Sequence, residues 1–296
     1  MLAACLSKQA VKAVFILRRK TMKNMTQLIK KCLPVLALIS SNFFFSSAQA
    51  QDTMTFQEIY KTASPVQIPN EPELSHILDN FIYTDVQKHI SFTPAQQELL
   101  TLAILTALNT PQEIPAHVQG ALKAGATPEQ IHEAIMHTTP YVGYPRSKAA
   151  LMQMHKAFKK AGIKIPLAKA GTVTDATRFD KGLEKQVEVA GERIITRIKT
   201  APADEAHIND FLAANCFGDY YTREVLNMQE RELLTFASII AIGGADPQAR
   251  GHVAANLKVG NTRQQLLDVI TVALPYIGYP RTLNALAAIN SVVPAK

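Results

Sequence analysis

Cysteine is nearly missing from this chain, and the shortage removes several chemistries at once. Of three cysteines, Cys5 and Cys32 fall in the first fifty residues, which leaves Cys216 alone in the remainder. A single thiol cannot form an intrachain disulfide, a C-x-x-C redox pair or a cysteine-rich metal site. It lies in DFLAANCFGDYYTRE beside Phe211, Leu212 and Phe217, with no evident base, and reads as an inert buried thiol. Strand signals are also scarce, which points away from a β or α/β fold.

A surplus of positive charge is absent too, once its location is considered. The whole chain sums to +7, but residues 1–50 hold Lys8, Lys12, Arg18, Arg19, Lys20, Lys23, Lys30 and Lys31 and no acid, so the rest sums to −1. Nothing beyond residue 50 therefore predicts charge-driven binding to nucleic acid or lipid. The longest apolar run, Cys32 to Phe45, is interrupted by Asn42 and several serines and is too short for a membrane span. With basic residues before it and Ala48-Gln49-Ala50 after it, the segment reads as a secretory leader cleaved before Gln51. A start at Met22 or Met25 gives that leader an ordinary length. The expectation is an exported, periplasmic protein with no membrane attachment after the leader is removed.

What the chain does contain is one unit written twice. HVQGALKAGATPEQIHEAIMHTTPYVGYPR (His117 to Arg146) returns as HVAANLKVGNTRQQLLDVITVALPYIGYPR (His252 to Arg281) at a constant offset of 135. QELLT from Gln97 returns as RELLT from Arg231 at an offset of 134, so a one-residue change in a loop separates the two blocks. The expected organisation is a leader at 1–50, a first repeat at 51–165, a linker at 166–177 and a second repeat at 178–296. Pro166, Gly171 and several threonines suit the linker.

Helix punctuation repeats in step. Thr93-Pro94 and Thr127-Pro128 look like N-cap followed by N1. Thr127 to Gln130 and Thr262 to Gln265 form capping boxes, and Asn227 to Glu230 is a related start. Gly125, Gly162 and Gly260 occupy the places where glycine ends helices. The punctuation predicts helices at about 94–109, 112–124, 128–139 and 145–160 in the first copy. In the second it predicts about 228–242, 246–259, 263–274 and 280–292, with an added helix at about 180–199. The first helix of each copy, LLTLAILTAL or LLTFASIIAI, is apolar on nearly all sides and should be central. The fold class is all-α, a tandem repeat of helical bundles.

Three residue types kept in both copies, Glu, His and Arg, carry chemical interest. Glu98 and Glu232 face Leu102 and Leu105, or Phe236 and Ile239, which desolvates a carboxylate and makes it a candidate acid or base. The alternative is a glutamate that ties neighbouring helices together. His117 is flanked at helical spacing by Gly120, Ala121 and Ala124, and His252 by Ala255, Asn256 and Val259, mostly small residues as in a pocket wall, or else both sit as half-buried, satisfied imidazoles. Arg146 and Arg281 fall in a helix's first turn, against the macrodipole, which suggests an anion or a carboxylate of the partner repeat. Gly143, Gly278 and the prolines of PYxGYPR read as structural. His132-Glu133 with His137 has i+5 spacing between the histidines, which turns the rings apart, and the second copy has Leu267 and Val272 there. No metal site is expected.

RELLTFA, HVxxxLKxG after about twenty residues, and PYxGYPRTLNAL together resemble the carboxymuconolactone decarboxylase family, most strongly over Gly218 to Leu286. KGLEKQVEVAGERI is similar to that family's first helix. The first copy resembles it over about Asp85 to Leu151, with Thr84 and Lys88 departing from the pattern around Gly218. The resemblance implies an all-α bundle related to alkylhydroperoxidase D and a homo-oligomer, here a trimer of two-repeat chains. The peroxidase branch uses C-x-x-C, whereas the corresponding stretches here are AHVQG and GHVAA. The decarboxylase branch works with a glutamate and a histidine and no cofactor. Carried over, Glu232 and His252, and in the first copy Glu98 and His117, are the catalytic acids and bases. Arg281, Arg146, Arg223, Tyr276 and Tyr141 are the expected substrate contacts, and the substrate is a small carboxylate or lactone; the alternatives are an alkylhydroperoxidase-like redox protein, disfavoured without C-x-x-C, and a non-catalytic binding or assembly module.

Overall fold

The structure is a computed structural model that describes residues 54–61 and 64–295. The expected leader lies outside the described residues. Helices account for most of the described chain and no strand is found among the described residues. After a single turn, α1 (Phe56–Ile59), the first copy runs through α2 (Pro72–Asn80), a π-helical turn (Phe81–Asp85), α3 (Pro94–Leu108), α4 (Ile114–Lys123), α5 (Pro128–His137), α6 (Thr139–Val142) and α7 (Tyr144–Lys160). The second runs through α8 (Arg178–Ala190), α9 (Arg193–Thr200), α10 (Ala206–Phe211), a π-helical segment (Leu212–Tyr221), α11 (Met228–Ile242), α12 (Asp246–Lys258) and α13 (Arg263–Val292).

The caps do what their sequences require. Thr93, Thr127, Asn227 and Thr262 each accept from the amide three residues on, while the third-position Gln or Glu returns a bond to the cap amide. Each box satisfies donors that a helix start leaves open. Two expected elements differ. The predicted helices at 263–274 and 280–292 are joined in α13 across a break at Gly278, φ 73° and ψ 168°, flanked by Pro275 and Pro280. The predicted helix at 180–199 is divided at Gly191 (φ 86°) into α8 and α9.

The central position of α3 and α11 follows from their composition. Eleven residues of α3 and eleven of α11 are buried, and the two helices pack against each other. One apolar core, including Leu102, Ile104, Ile131, Phe158, Phe236, Val253 and Leu266, runs through both copies. The described residues of both copies accordingly fall in one compact unit. A helix apolar all round needs neighbours on every side, and each copy supplies some of the other's.

Alpha8 meets the π-helical segment backbone to backbone. A Cβ on Gly182 would lie 1.9 Å from the Ala213 carbonyl oxygen, and one on Gly218 would lie 2.2 Å from that of Arg178. This close crossing holds the segment that ends in Tyr221, a residue of the site described next.

Candidate functional site

Glu98 on α3 and His117 on α4 are brought together in the core, with Nδ1 of the histidine 2.8 Å from Oε2 of the glutamate. Glu232 on α11 and His252 on α12 repeat the distance, 2.8 Å. A carboxylate only accepts, so each neutral imidazole carries its proton on Nδ1 and leaves the Nε2 lone pair free to act as a base. In both copies a tyrosine hydroxyl donates to the other carboxylate oxygen. Tyr221 reaches Oε1 of Glu232 at 2.6 Å, and Tyr60 reaches Oε1 of Glu98 at 2.7 Å.

These tyrosines come from unrelated places. Tyr221 ends the π-helical segment of its own repeat, whereas Tyr60 follows α1, upstream of the repeated unit. Tyr60 fits because Gly120 has no side chain: a Cβ there would lie 2.1 Å from its hydroxyl. At the matching place in the second copy stands Ala255. The Tyr60 ring packs on Phe56 and Tyr83 with centroids 6.2 and 5.5 Å away, and Lys123 Nζ donates to the Ile59 carbonyl at 2.8 Å. As a result the His117 side chain is only 5% exposed, against 20% for His252.

The tyrosines of the two PYxGYPR turns cross over. Tyr141, from the first copy, sets its ring edge-on to His252 at 5.9 Å, and Tyr276, from the second, does the same to His117 at 5.9 Å. Each Glu/His pair is therefore walled by the other repeat. Tyr141 also hydrogen-bonds Tyr221 hydroxyl to hydroxyl at 2.7 Å.

Behind Glu232 a buried polar chain extends to the protein's edge. Arg231, fully buried, donates to Nδ1 of His137 at 3.3 Å and to the Arg223 carbonyl at 2.8 Å. A guanidinium only donates, so His137 carries its proton on Nε2, which donates to Thr235 Oγ1 at 3.0 Å. Thr235 lies 3.0 Å from the Tyr221 hydroxyl. Burial and the Arg231 charge push the His137 pKa well below its ordinary value, which keeps the ring neutral. Glu133 answers both arginines, 2.6 Å from Arg223 and 3.3 Å from Arg231. Burial alone would raise its pKa, but bonds from His132 and Arg223 and the two guanidinium charges outweigh it and hold the carboxyl at about 2. The H-E-x-x-x-H stretch is thus an ion-pair element; no group of ligands suited to a metal occurs among the described residues. Burial pushes the Tyr141 and Tyr221 hydroxyls well above their ordinary range, so both remain protonated donors.

The arginines of the two PYxGYPR turns each reach a helix end rather than a carboxylate of the other repeat. Arg281 donates to the Ala241 carbonyl at 2.5 Å, and Arg146 donates to that of Ala107. Both acceptors belong to the last turn of the central helix in the same repeat, where carbonyls lack intrahelical partners and a cation is favourable. The unfavourable start of one helix is offset at the end of another. Arg223 is taken up by Glu133. Cys216 is buried, 3.8 Å from the Tyr141 hydroxyl, and burial raises its thiol to about 12, in keeping with an inert group.

Tyr60, Tyr221, Thr235, His137 and Arg231 are site neighbours that sequence reasoning missed. Arg231 and Thr235 flank Glu232 at −1 and +3, and Thr101 repeats Thr235, which is the only local signal among them.

The model of the carboxymuconolactone decarboxylase family matches the chain twice, over residues 72–155 and 207–291. The 4-carboxymuconolactone decarboxylase of Acinetobacter baylyi is 28% identical over 91 residues, covering 31% of this chain and 68% of the relative. Peroxisomal protein 2 of Schizosaccharomyces pombe is 22% identical over 193 residues, covering 61% of this chain and 85% of the relative. The two family matches together span more than half of the chain, each containing one Glu/His pair and one crossing tyrosine, so the chain belongs to the carboxymuconolactone decarboxylase family, in tandem.

Proposed function

We propose that the protein is a lyase or isomerase that runs acid–base chemistry on a small carboxylate or lactone without a cofactor. The observation that carries this reading is a buried carboxylate orienting an imidazole through Nδ1, built twice at 2.8 Å. His252 takes or returns a proton at Nε2, Glu232 holds its tautomer, and Tyr221 fixes the carboxylate. His117, Glu98 and Tyr60 repeat the arrangement in a more closed setting. Tyr141 and Tyr276 form the wall against which the substrate lies.

The similarity to a 4-carboxymuconolactone decarboxylase supports the reaction class. A thiol peroxidase reading has little support, since the remaining thiol is buried and raised to about 12. The protein acts as an exported, periplasmic homo-oligomer, a trimer of two-repeat chains. Support for assembly comes from apolar residues exposed in both copies, Leu74, Ile77 and Tyr144 in one and Ile208, Phe211 and Tyr279 in the other.

The test is deuterium exchange and turnover with a panel of small lactones and lactone acids. His252→Ala should lower the rate by about 10² to 10⁴, the usual worth of a positioned general base. If neither His252→Ala nor His117→Ala changes the rate, the assigned bases are wrong.

A further inference from the structure

The net charge of −1 beyond residue 50 averages over a very uneven distribution. From Ala134 to Thr174 there is no acid, while Arg146 and six lysines (Lys148, Lys156, Lys159, Lys160, Lys164 and Lys169) give a local +7 against −8 for the rest of residues 51–296. Arg146 is engaged by the Ala107 carbonyl. All six lysines are exposed, and none makes a hydrogen bond or ion pair with another described residue. The helices packed against α7 carry only Glu98, Glu129 and Glu133 as acids, and the first and last are taken up by His117 and by Arg223 and Arg231.

On α7 the lysines are periodic. At about 100° per residue Lys148, Met152, His155, Lys156 and Lys159 share one exposed stripe about 16 Å long, opposite the buried stripe of Ser147, Ala150, Met154, Ala157 and Phe158. In the second copy Leu283, Ala287, Asn290 and Ser291 match the first four, so the same face is uncharged and the fold does not require the lysines. A helix C-terminus favours Lys159 and Lys160, but it explains neither Lys148 in the second turn nor Lys164 and Lys169 beyond the helix. A convex ridge of lysines, without a groove or an arginine fork, is poorly shaped for one carboxylate or phosphate. It fits a flat anionic surface, over which separate point charges each find a headgroup. Met152 and Ile165, 55% and 44% exposed, stand among these lysines as side chains able to enter the headgroup layer, with the lysine stems lying along its apolar boundary.

We propose that the outer face of α7, continued by the segment to Lys169, docks on an anionic lipid surface. The local charge thus overrides the expectation of no membrane attachment that the net charge suggested. The docking goes beyond the catalytic reading and does not depend on it.

Vesicle co-sedimentation of the chain from Gln51, which keeps both repeats in their compact unit and lacks the basic leader, tests it. The chain should bind phosphatidylcholine vesicles containing about 30% phosphatidylglycerol and not phosphatidylcholine alone. Raising salt from about 0.1 to 0.5 M should weaken binding at least tenfold, because the charges are exposed. Replacing Lys148, Lys156 and Lys159 together by glutamine should weaken it about a hundredfold, at about fivefold per lysine. The same change at Lys61, Lys181 and Lys185, which leaves an equal net charge, should have little effect. An environment-sensitive dye on Met152→Cys, which the buried Cys216 would not take up, should shift to the blue on the anionic vesicles and so locate the contact without touching a lysine. Equal binding to neutral vesicles, equal losses in the two triple variants, or no dye shift would overturn the proposal. So would duplex DNA or polyglutamate binding the same face as tightly at the same salt, or sedimentation showing that the α7 triple variant has lost contacts between copies of the chain.

Discussion

Gly120→Ala is the sharpest single perturbation of the first site. The added methyl would sit 2.1 Å from the Tyr60 hydroxyl, 2.7 Å from Cζ and 3.2 Å from Cδ of Glu98. The glutamate can yield by a few tenths of an ångström, but the tyrosine cannot, because its ring is held against Phe56 and Tyr83. Tyr60 must therefore leave. Its hydrogen bond to a carboxylate is worth about 1.5–3 kcal/mol, and each aromatic contact about 0.5–1.5 kcal/mol. Against this, alanine in a helix interior gains about 0.5–1 kcal/mol over glycine. The net expectation is a loss of about 2–4 kcal/mol, bounded because α1 is a single turn that can detach without opening the core. In a Tyr60→Ala background the clash is gone, and the same substitution should stabilise by about 0.5–1 kcal/mol. Urea unfolding of the four proteins in a double-mutant cycle measures the change of sign. An equal cost for Gly120→Ala in both backgrounds would refute the seating of Tyr60 over Glu98.

Acid should unfold the protein in two stages. His137 is neutral in the fold but accepts a proton when unfolded, near 6.5, so stability declines once pH falls below that value. Glu133, at about 2 in the fold and 4.5 when free, adds about 3 kcal/mol that is fully present above pH 4.5 and lost as pH falls from 4.5 towards 2. Glu133→Gln should flatten the lower stage in melting scans run at a series of pH values, and an unchanged profile would dismiss the ion pairs. Gly182→Ala should cost about 1–3 kcal/mol or more, since its methyl would meet backbone rather than a movable side chain; a melting temperature equal to the wild type's would show that α8 does not cross so closely. Arg281→Ala should lower stability by about 0.5–1.5 kcal/mol, the net worth of one hydrogen bond at a partly open site. It should leave ligand affinity intact, and a large selective loss of affinity for anionic lactones in a binding titration would restore that arginine to the site.

Much of the scaffold was legible because its signals are local. A capping box is decided within four residues, so Thr93, Thr127, Asn227 and Thr262 announce their helices directly. The Glu/His pairs were legible for a different reason: duplication marks them, and a carboxylate on an apolar helix needs a buried partner. The carbonyl partners of Arg146 and Arg281 were not legible, because the macrodipole of their own helix is visible in sequence while the carbonyls of a neighbouring helix end are not. Tyr60 could not be read at all, since its role depends on an empty space at Gly120, sixty residues away in the chain. The division at 180–199 was missed because Gly191, inside an otherwise helical pattern, is compatible with either a continuous helix or a break.

The crossing of Tyr141 and Tyr276 puts the inherited unit and the working unit out of register. Each copy supplies the Glu/His pair of one site and a tyrosine wall of the other. A redundant duplicate is ordinarily free to decay, but here damage to either copy's PYxGYPR turn is felt at the other copy's histidine. Cleavage in the linker and separation of the halves would yield two fragments that each retain a Glu/His pair and lack the ring across from it. Mixing the fragments is the way to recover both sites, and neither half is a smaller version of the whole.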